Sequence, residues 1–450
     1  MININEHPTV KKVGSLRNRE VIADNSVLLN YEELMKICIA AGADDVGFVS
    51  VDHPSMSDER ADIIQVLPGT KTLISFVSKM NCEPVRSPAR SIANLEFHQT
   101  TDKAAAIGKD IIAELAKKKI RAVNPSPGFP MEMDRFSETG KTWLVSHKPI
   151  AQAAGLGRMG IHRNLIHPKF GNFIILGTIL IDAEVDRYDS ELEYNPCLEC
   201  KLCVAACPVG AIGADGHFDF TACYTHNYRE FMGGFTDWVE TVVDSKNRKV
   251  YRSKVTASET ASLWQSLSYG ANYKAAYCMA VCPAGEDVIS PFLNYKQQFI
   301  EQTVKPLQNK IENVYVVKDS DASEYVKKRF PNKIVREVSN SLRPSTIGGF
   351  LNNLKHVFQR HQSEGLNAVY HFSFFGREPA DATVTIRNKN IHLESGLAGK
   401  ADIHIRADSE IWLKFIAKEK NILWALLSRK IKIKGSPRLL MVFGKCFPAG

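Results

Sequence analysis

The residues best equipped for chemistry are thiols. Cys197, Cys200, Cys203 and Cys207, followed by Pro208, form a CxxCxxCxxxCP run, and Cys223, Cys278 and Cys282 follow it, the last again before a proline, Pro283. Soft thiolate sulfur suits iron and sulfide, and two-residue spacers let one tight loop wrap three irons of a cubane. Zinc sites ordinarily use paired CxxC hooks, so the run reads as an iron–sulfur ligand set. The fourth cysteine of such a run serves a second cluster. The simplest partition assigns Cys197, Cys200, Cys203 and Cys282 to a first cluster of the 4Fe-4S type, and Cys207, Cys223 and Cys278 to a second. The second set is one thiolate short, because Ala275 stands where a return motif would carry a cysteine. That site is expected to hold a 3Fe-4S cluster, or a 4Fe-4S cluster completed by another group such as His226 or solvent.

Several elements must position these thiols. A chain of 450 residues implies two to four domains, and its 44% apolar and 24% charged content is that of globular material rather than a disordered or fibrous chain. Residues 31–190 alternate helical and strand-like patterns: helices over 31–41 and 103–118, strands over 72–77 and 173–181. Between Cys223 and Cys278 a polar insertion near 244–259 reads as a surface excursion. A helix over 347–361, strands over 369–375, 382–387, 391–394 and 401–406, and helices over 411–417 and 421–428 complete a C-terminal α+β unit. No internal repeat is visible.

The longest apolar stretch, 173–181, falls far short of the roughly 20 residues of a membrane span. The opening MININEHPTVKK lacks the pattern of an export signal, so a cytoplasmic protein with metal-bound rather than disulfide-bonded thiols is expected. The net charge of +8 comes from residues 414–445, which hold nine Lys or Arg against Glu419 alone. Such a face is ordinarily solvated, and it could also make peripheral contact with anionic lipid. It lacks the interleaved aromatics of a stacking platform, so no nucleic-acid partner is expected.

Directly ahead of the cysteines stands AQAAGLGRMGIHRNLIHPKFGNFIILGTILID (Ala151 to Asp182). With AAGADDVGFVSVD (Ala40 to Asp52), TLISF (Thr72 to Phe76) and CMAVCP (Cys278 to Pro283), it resembles the epoxyqueuosine reductase and reductive dehalogenase superfamily over roughly residues 30–295. The resemblance implies a nitroreductase-like α/β cobalamin-binding domain over 1–190 and a bacterial ferredoxin-like two-cluster domain over 191–300. It implies base-off cobalamin beside the proximal cluster, with Gly155, Leu156, Gly157, Gly160, His162, Asn164, Leu165 and Gly171 as the matching cofactor-binding positions. Glycines there would let backbone approach a bulky ligand.

The implied activity is reduction of a hydrophobic organic substrate, fed by a donor such as ferredoxin or flavodoxin. An alternative reading is an iron–sulfur electron-transfer or lipid-binding protein with a vestigial corrinoid pocket. Where epoxyqueuosine reductases place an aspartate in a D-S-x-P context, this chain reads ETGKTWLVSHKP and puts Lys141 near that position. Lys141, Asp134 and His98 are the candidate proton donors. GLNAVYHFSFFG (Gly365 to Gly376), ATVTIRNKNIHLESG (Ala382 to Gly396) and KIKIKGSPRLLMVFGKCF (Lys430 to Phe447) resemble the sterol-carrier-protein-2 family, which implies a lipid-binding α+β domain over 341–450 joined by a linker, 301–340. A homodimer is compatible with this layout.

Overall fold

The long apolar runs of the N-terminal half condense into one sheet. The computed structural model describes residues 4–17, 28–135, 141–339, 343–417, 419–420 and 422–448, so Lys418 of the basic segment lies outside it. Helix α1 (Tyr31–Ala40) is capped by Asn30, whose side chain accepts from the Glu33 amide, and leads into β1 (Asp45–Ser50). Helix α2 (Arg60–Val66), β2 (Thr72–Lys79), the 28-residue α3 (Arg90–Lys117), β3 (Ala122–Val123), α4 (His147–Ala153) and β4 (Ile174–Ile181) follow. The sheet order is β1-β2-β4-β3 and every pairing is antiparallel. β2 is buried at every position except Lys79, as its near-continuous apolar sequence requires of a central strand covered on both faces. Gly177 opposite it is obligatory: a Cβ there would lie 2.0 Å from the Phe76 ring.

The cysteine region is helical. Helices α5 (Leu202–Ala206), α6 (Phe220–Asn227), α7 (Gly233–Val243), α8 (Arg248–Lys254), α9 (Ala257–Tyr269) and α10 (Tyr277–Ala280) enclose the thiols. The insertion near 244–259, expected as an excursion, contains α8 and the start of α9. It is tied inward because Arg229, 4% exposed, pairs with Asp237 at 2.6 Å and Glu259 at 3.0 Å over the Tyr315 ring. A buried guanidinium with two carboxylates fixes these helices around one point, since losing either partner would strand a charge in a low-dielectric site.

The stretch expected as a linker is folded. β5 (Asn313–Val317), α11 (Asp321–Arg329) and β6 (Ile334–Val338) form a parallel βαβ unit. Val314, Val316, Val326 and Phe330 share the apolar core that contains Cys203 and Cys207. Its high charge content masks a short buried strand: Lys333, whose side chain is fully buried, is neutralised by Glu312 at 2.7 Å and also donates to the carbonyls of Leu307 and Lys310.

The C-terminal unit comprises α12 (Ile347–Val357), β7 (Ala368–Phe375), β8 (Ala380–Arg387), β9 (Asn390–Ser395), β10 (Ile403–Asp408), α13 (Ser409–Ile416), α14 (Ile422–Leu427), β11 (Ile431–Gly435) and α15 (Pro437–Cys446). Its sheet runs β9-β8-β7-β10-β11, with only β7 and β10 parallel. Phe350, Phe372, Phe374 and Trp412 interlock within 6.1 Å, so aromatic side chains fill the space between the sheet and α12. Among the described residues no helix is long and apolar enough to cross a membrane.

Candidate iron–sulfur sites

Two short helices carry most of the thiols, and they are built alike. α5 starts after Lys201 (φ 62°) and α10 after Ala276 (φ 52°), both in the left-handed region. Each then presents a cysteine at its second residue and another four positions on, followed by proline: Cys203 and Cys207-Pro208, and Cys278 and Cys282-Pro283. Four residues are about one turn, roughly 6 Å of rise, so each helix presents two thiols in adjacent turns. This is an internal repeat with an offset of 75 positions that its brevity hides in sequence. Under it, Cys200 corresponds to Ala275 and Cys197 to Asn272. The repeat has thus lost two thiols on one side.

The first group brings together Cys197, Cys200, Cys203 and Cys282 around a small cavity also lined by Ile161, His162 and Lys201. Burial pushes the Cys282 thiol up to about 12 and raises Cys200 and Cys203 above their ordinary value, with neighbouring cysteines adding to the effect. A cationic iron cluster would relieve this penalty by taking the thiolates. Among the described residues no three His, Cys, Asp or Glu side chains converge on a point as ligands of one ion would. The donor chemistry and the four-sided cavity fit a cluster-sized guest.

The second group is Cys207, Cys278 and Cys223. Cys223 comes from α6 and lies close enough to both for their charges to raise its thiol well above the ordinary value, after burial itself. α6 also braces the position that lost its thiol, because Asn227 Oδ1 accepts from the amides of Ala275 and Ala276. Asn164 Nδ2 contacts Cys278 Sγ at 3.9 Å, and Lys148 Nζ donates to Asn164 Oδ1 at 3.2 Å and to the Arg163 carbonyl at 2.8 Å. The block from Ala151 to Asp182 therefore reaches this second site through Asn164.

Cys223, Cys278, Tyr228 and Tyr273 are half-buried and Lys148 is exposed, so the second thiol group has a solvent-accessible side. Its aromatic wall is continuous: Tyr228 packs on Tyr273 at 5.7 Å and on Phe231 at 5.0 Å, and Phe129 reaches Phe231 at 5.7 Å. α3 positions this wall, as Asn94 makes two hydrogen bonds to the Tyr273 backbone and Phe97 packs on its ring at 5.3 Å. Burial and Tyr273 raise the Tyr228 phenol well above its ordinary value, while burial lowers Lys148 and His147. An accessible side walled by flat rings beside the second thiol group suits a planar cofactor.

The expected proton donors are not gathered there. Lys141 is tied to α2 by Asp62 at 3.1 Å and Glu59 at 3.7 Å. His98 instead holds the Ala271 carbonyl at 2.9 Å and so pins the turn before Tyr273, and Asp134 is exposed. Tyr228, Tyr273, His147 and Lys148 were not legible as site residues, since no local motif marks them. His226 is not at the second thiol group: its ring stacks on Tyr315, its Nδ1 accepts from the Tyr315 amide, and burial together with the flanking lysines drives it down to about 4.

The glycines expected to cradle the cofactor pack against the protein itself. A Cβ on Gly155 would meet the Ser190 carbonyl at 2.6 Å, on Gly157 the Ile166 carbonyl at 2.4 Å, and on Gly171 the Ala284 carbonyl at 2.0 Å. Gly160 would clash with the Ile166 side chain at 2.7 Å. Leu156 and Leu165 are core residues with Val77 and Phe170. His162 is buried at the first thiol cavity, and burial holds it neutral with a value of about 4. Of the eight positions, Asn164 alone touches a thiol of the second group.

Comparison with known proteins places these features. Residues 351–448 match the model of the SCP-2 sterol transfer family. An epoxyqueuosine reductase of Vibrio cholerae is 28% identical over 175 residues, which is 39% of this chain and 46% of that protein. The chain thus spans about half the length of the curated relatives it matches. A reductive dehalogenase structure aligns with a TM-score of 0.38 at 14% identity, over 69% of this chain and 40% of that one. A structure of epoxyqueuosine reductase with a modified tRNA stem loop aligns with a TM-score of 0.30 at 16% identity, over 62% and 78%. The chain resembles epoxyqueuosine reductases and reductive dehalogenases, with an SCP2 domain at its C-terminus.

Proposed function

We propose that this chain is a reductase in which two iron–sulfur clusters deliver electrons to a corrinoid held on the accessible side of Cys223 and Cys278. The observation that carries this reading is what surrounds the second thiol group: Lys148 reaches Cys278 through Asn164, and the Tyr228 and Tyr273 rings pack together beside the thiols. A donor such as ferredoxin or flavodoxin would feed the first cluster, whose Cys197 and Cys200 remain partly exposed. The adjacent turns of α5 and α10 then keep the two clusters within a short electron step of each other. Bound cobalamin would supply a strongly reducing metal centre for breaking a carbon–heteroatom bond.

The chain's own residues have defined tasks in this scheme. Asn164 and Lys148 orient a hydrogen bond and a positive charge toward Cys278, which favours the reduced form of its cluster. Tyr228 and Tyr273 exclude water with their rings and are the acids nearest the site, in place of Lys141. The C-terminal domain supports an organic, lipid-like substrate. The test is anaerobic purification with cobalamin supplied. A retained corrin absorption that bleaches and shifts on reduction is expected, and intact cluster absorbance without any corrin band would overturn the reductase. The alternative, an electron-transfer protein with a vestigial pocket, is favoured only by the glycine block packing on its own backbone.

A further inference from the structure

The seven thiols come from three places, and the odd one, Cys223, replaces what the repeat lost. Its helix, α6, is also the element the C-terminal domain grips. Thr221 Oγ1, on a residue 2% exposed, donates to the His356 carbonyl at the end of α12 at 2.8 Å. The Phe220 ring packs on His356 at 5.3 Å. Asp219 caps α6 by accepting from the Ala222 amide at 2.9 Å, and the Gln359 side-chain amide lies beside that carboxylate and donates to the Val357 carbonyl at 3.2 Å. Gln359 is 1% exposed, takes the Asp321 amide at 2.8 Å through its Oε1, and is anchored in its own domain by donating its amide to the Cys446 carbonyl at 2.8 Å. His361 N donates back to Asp321 Oδ2 at 2.7 Å, and Arg360 pairs with Asp215 at 2.5 Å. A second hold lies apart, where Arg343 forks onto both oxygens of Glu240 at 2.7 and 2.8 Å.

The contacts made by Phe220, Thr221 and Asp219 are directional and centre on buried residues, Thr221 at 2% and Gln359 at 1% exposure, unlike the wet, sliding contacts of a tethered module. They converge on the first turn of a helix of eight residues whose fourth residue is Cys223 and whose last, Asn227, braces Ala275. A helix this short has little stability of its own, so its position is set by what packs on it. The α12 end and Gln359 supply that packing on the side away from the thiols.

We propose that the SCP2-like domain is a clamp that positions Cys223, so that the second cluster is completed only when this domain is docked. Thr221, His356 and Gln359 are positioning residues for that cluster. The inference rests on the reading that the cysteines hold two clusters. It assigns the domain a structural link to the electron path that is independent of any ligand it carries, and it predicts that perturbing the domain is felt at one cluster and not at the other.

The test uses the full chain reconstituted anaerobically with iron and sulfide, read by electron paramagnetic resonance during reductive titration, with Cys223→Ser identifying the second cluster's signal. The double variant Thr221→Val, Gln359→Leu is expected to shift or lose that signal while the first cluster keeps its line shape and potential. Gln359→Leu alone, which leaves the Thr221 bond in place, gives the same contrast in smaller measure if the double variant does not fold. Both signals unchanged, or both lost together, overturns the clamp alone. A wild type showing a single cluster overturns the two-cluster reading and the clamp with it.

Discussion

The two thiol groups differ in who holds them. The first takes all four of its cysteines from the α5 and α10 loops around a small cavity; the second takes two from the same helices, borrows Cys223 from α6 and has an aromatic-walled, accessible side. On the proposed function, one repeat has become an electron inlet on one side and a working face on the other. With Ala275 buried where the repeat would carry a thiol, the second site draws on a distant element, α6, for Cys223. Damage far from the cysteines should therefore fall on the second group first.

The largest effect is expected from Cys223→Ser, which should remove the second cluster's iron and leave the first, as read by metal quantification and spectroscopy; equal loss from both would erase the distinction drawn here. Next comes Tyr228→Phe. It keeps the ring wall and removes the acid, so turnover of a reducible substrate should drop by about 10² to 10⁴ with cluster spectra unchanged. Wild-type turnover in that variant would move the acid elsewhere, with Tyr273→Phe the next to test.

Arg229→Leu leaves Asp237 and Glu259 buried without their cation, and should cost about 3–5 kcal/mol in urea unfolding. A cost under about 1 kcal/mol would show that the insertion is not held from this point.

The buried His226 makes a pH test. Its imidazole titrates near 6.5 in an unfolded chain and near 4 when folded, so the folded state disfavours the proton. Its contribution is complete above pH 6.5 and is lost as pH falls from 6.5 toward 4, about 3 kcal/mol in all. His226→Leu should remove that loss from the variant's own pH profile, so the two profiles diverge between pH 6.5 and 4, and parallel profiles would refute it. The smallest effect is predicted for Lys141→Met. Its half-exposed ion pairs with Asp62 and Glu59 are worth less than about 1 kcal/mol, and cluster content and turnover should be unchanged.

What could be read from sequence follows the range of the interactions involved. That Cys197, Cys200, Cys203 and Cys282 would share one cavity was legible because their spacing is local and Cys203/Cys207 and Cys278/Cys282 each fall about one turn apart. The strands of the N-terminal sheet and of the SCP2 region were legible from apolar runs such as residues 174–181. The site above the second cluster was not, because Tyr228 and Tyr273 meet only after α6 and the turn pinned by His98 are placed. Glycines 155, 157 and 171 misled for a related reason. A close approach needs a glycine whether the neighbour is a cofactor or the carbonyls of Ser190, Ile166 and Ala284, and spacing does not tell which. The folded unit over 313–338 was hidden by charges such as Lys333 that the fold buries in pairs.

The most direct test of the account is iron and zinc quantification with electron paramagnetic resonance on the anaerobically purified full chain beside Cys223→Ser. Two distinct iron–sulfur signals in the wild type and one in the variant are predicted. Zinc in place of iron, or a variant that retains both signals, would contradict it.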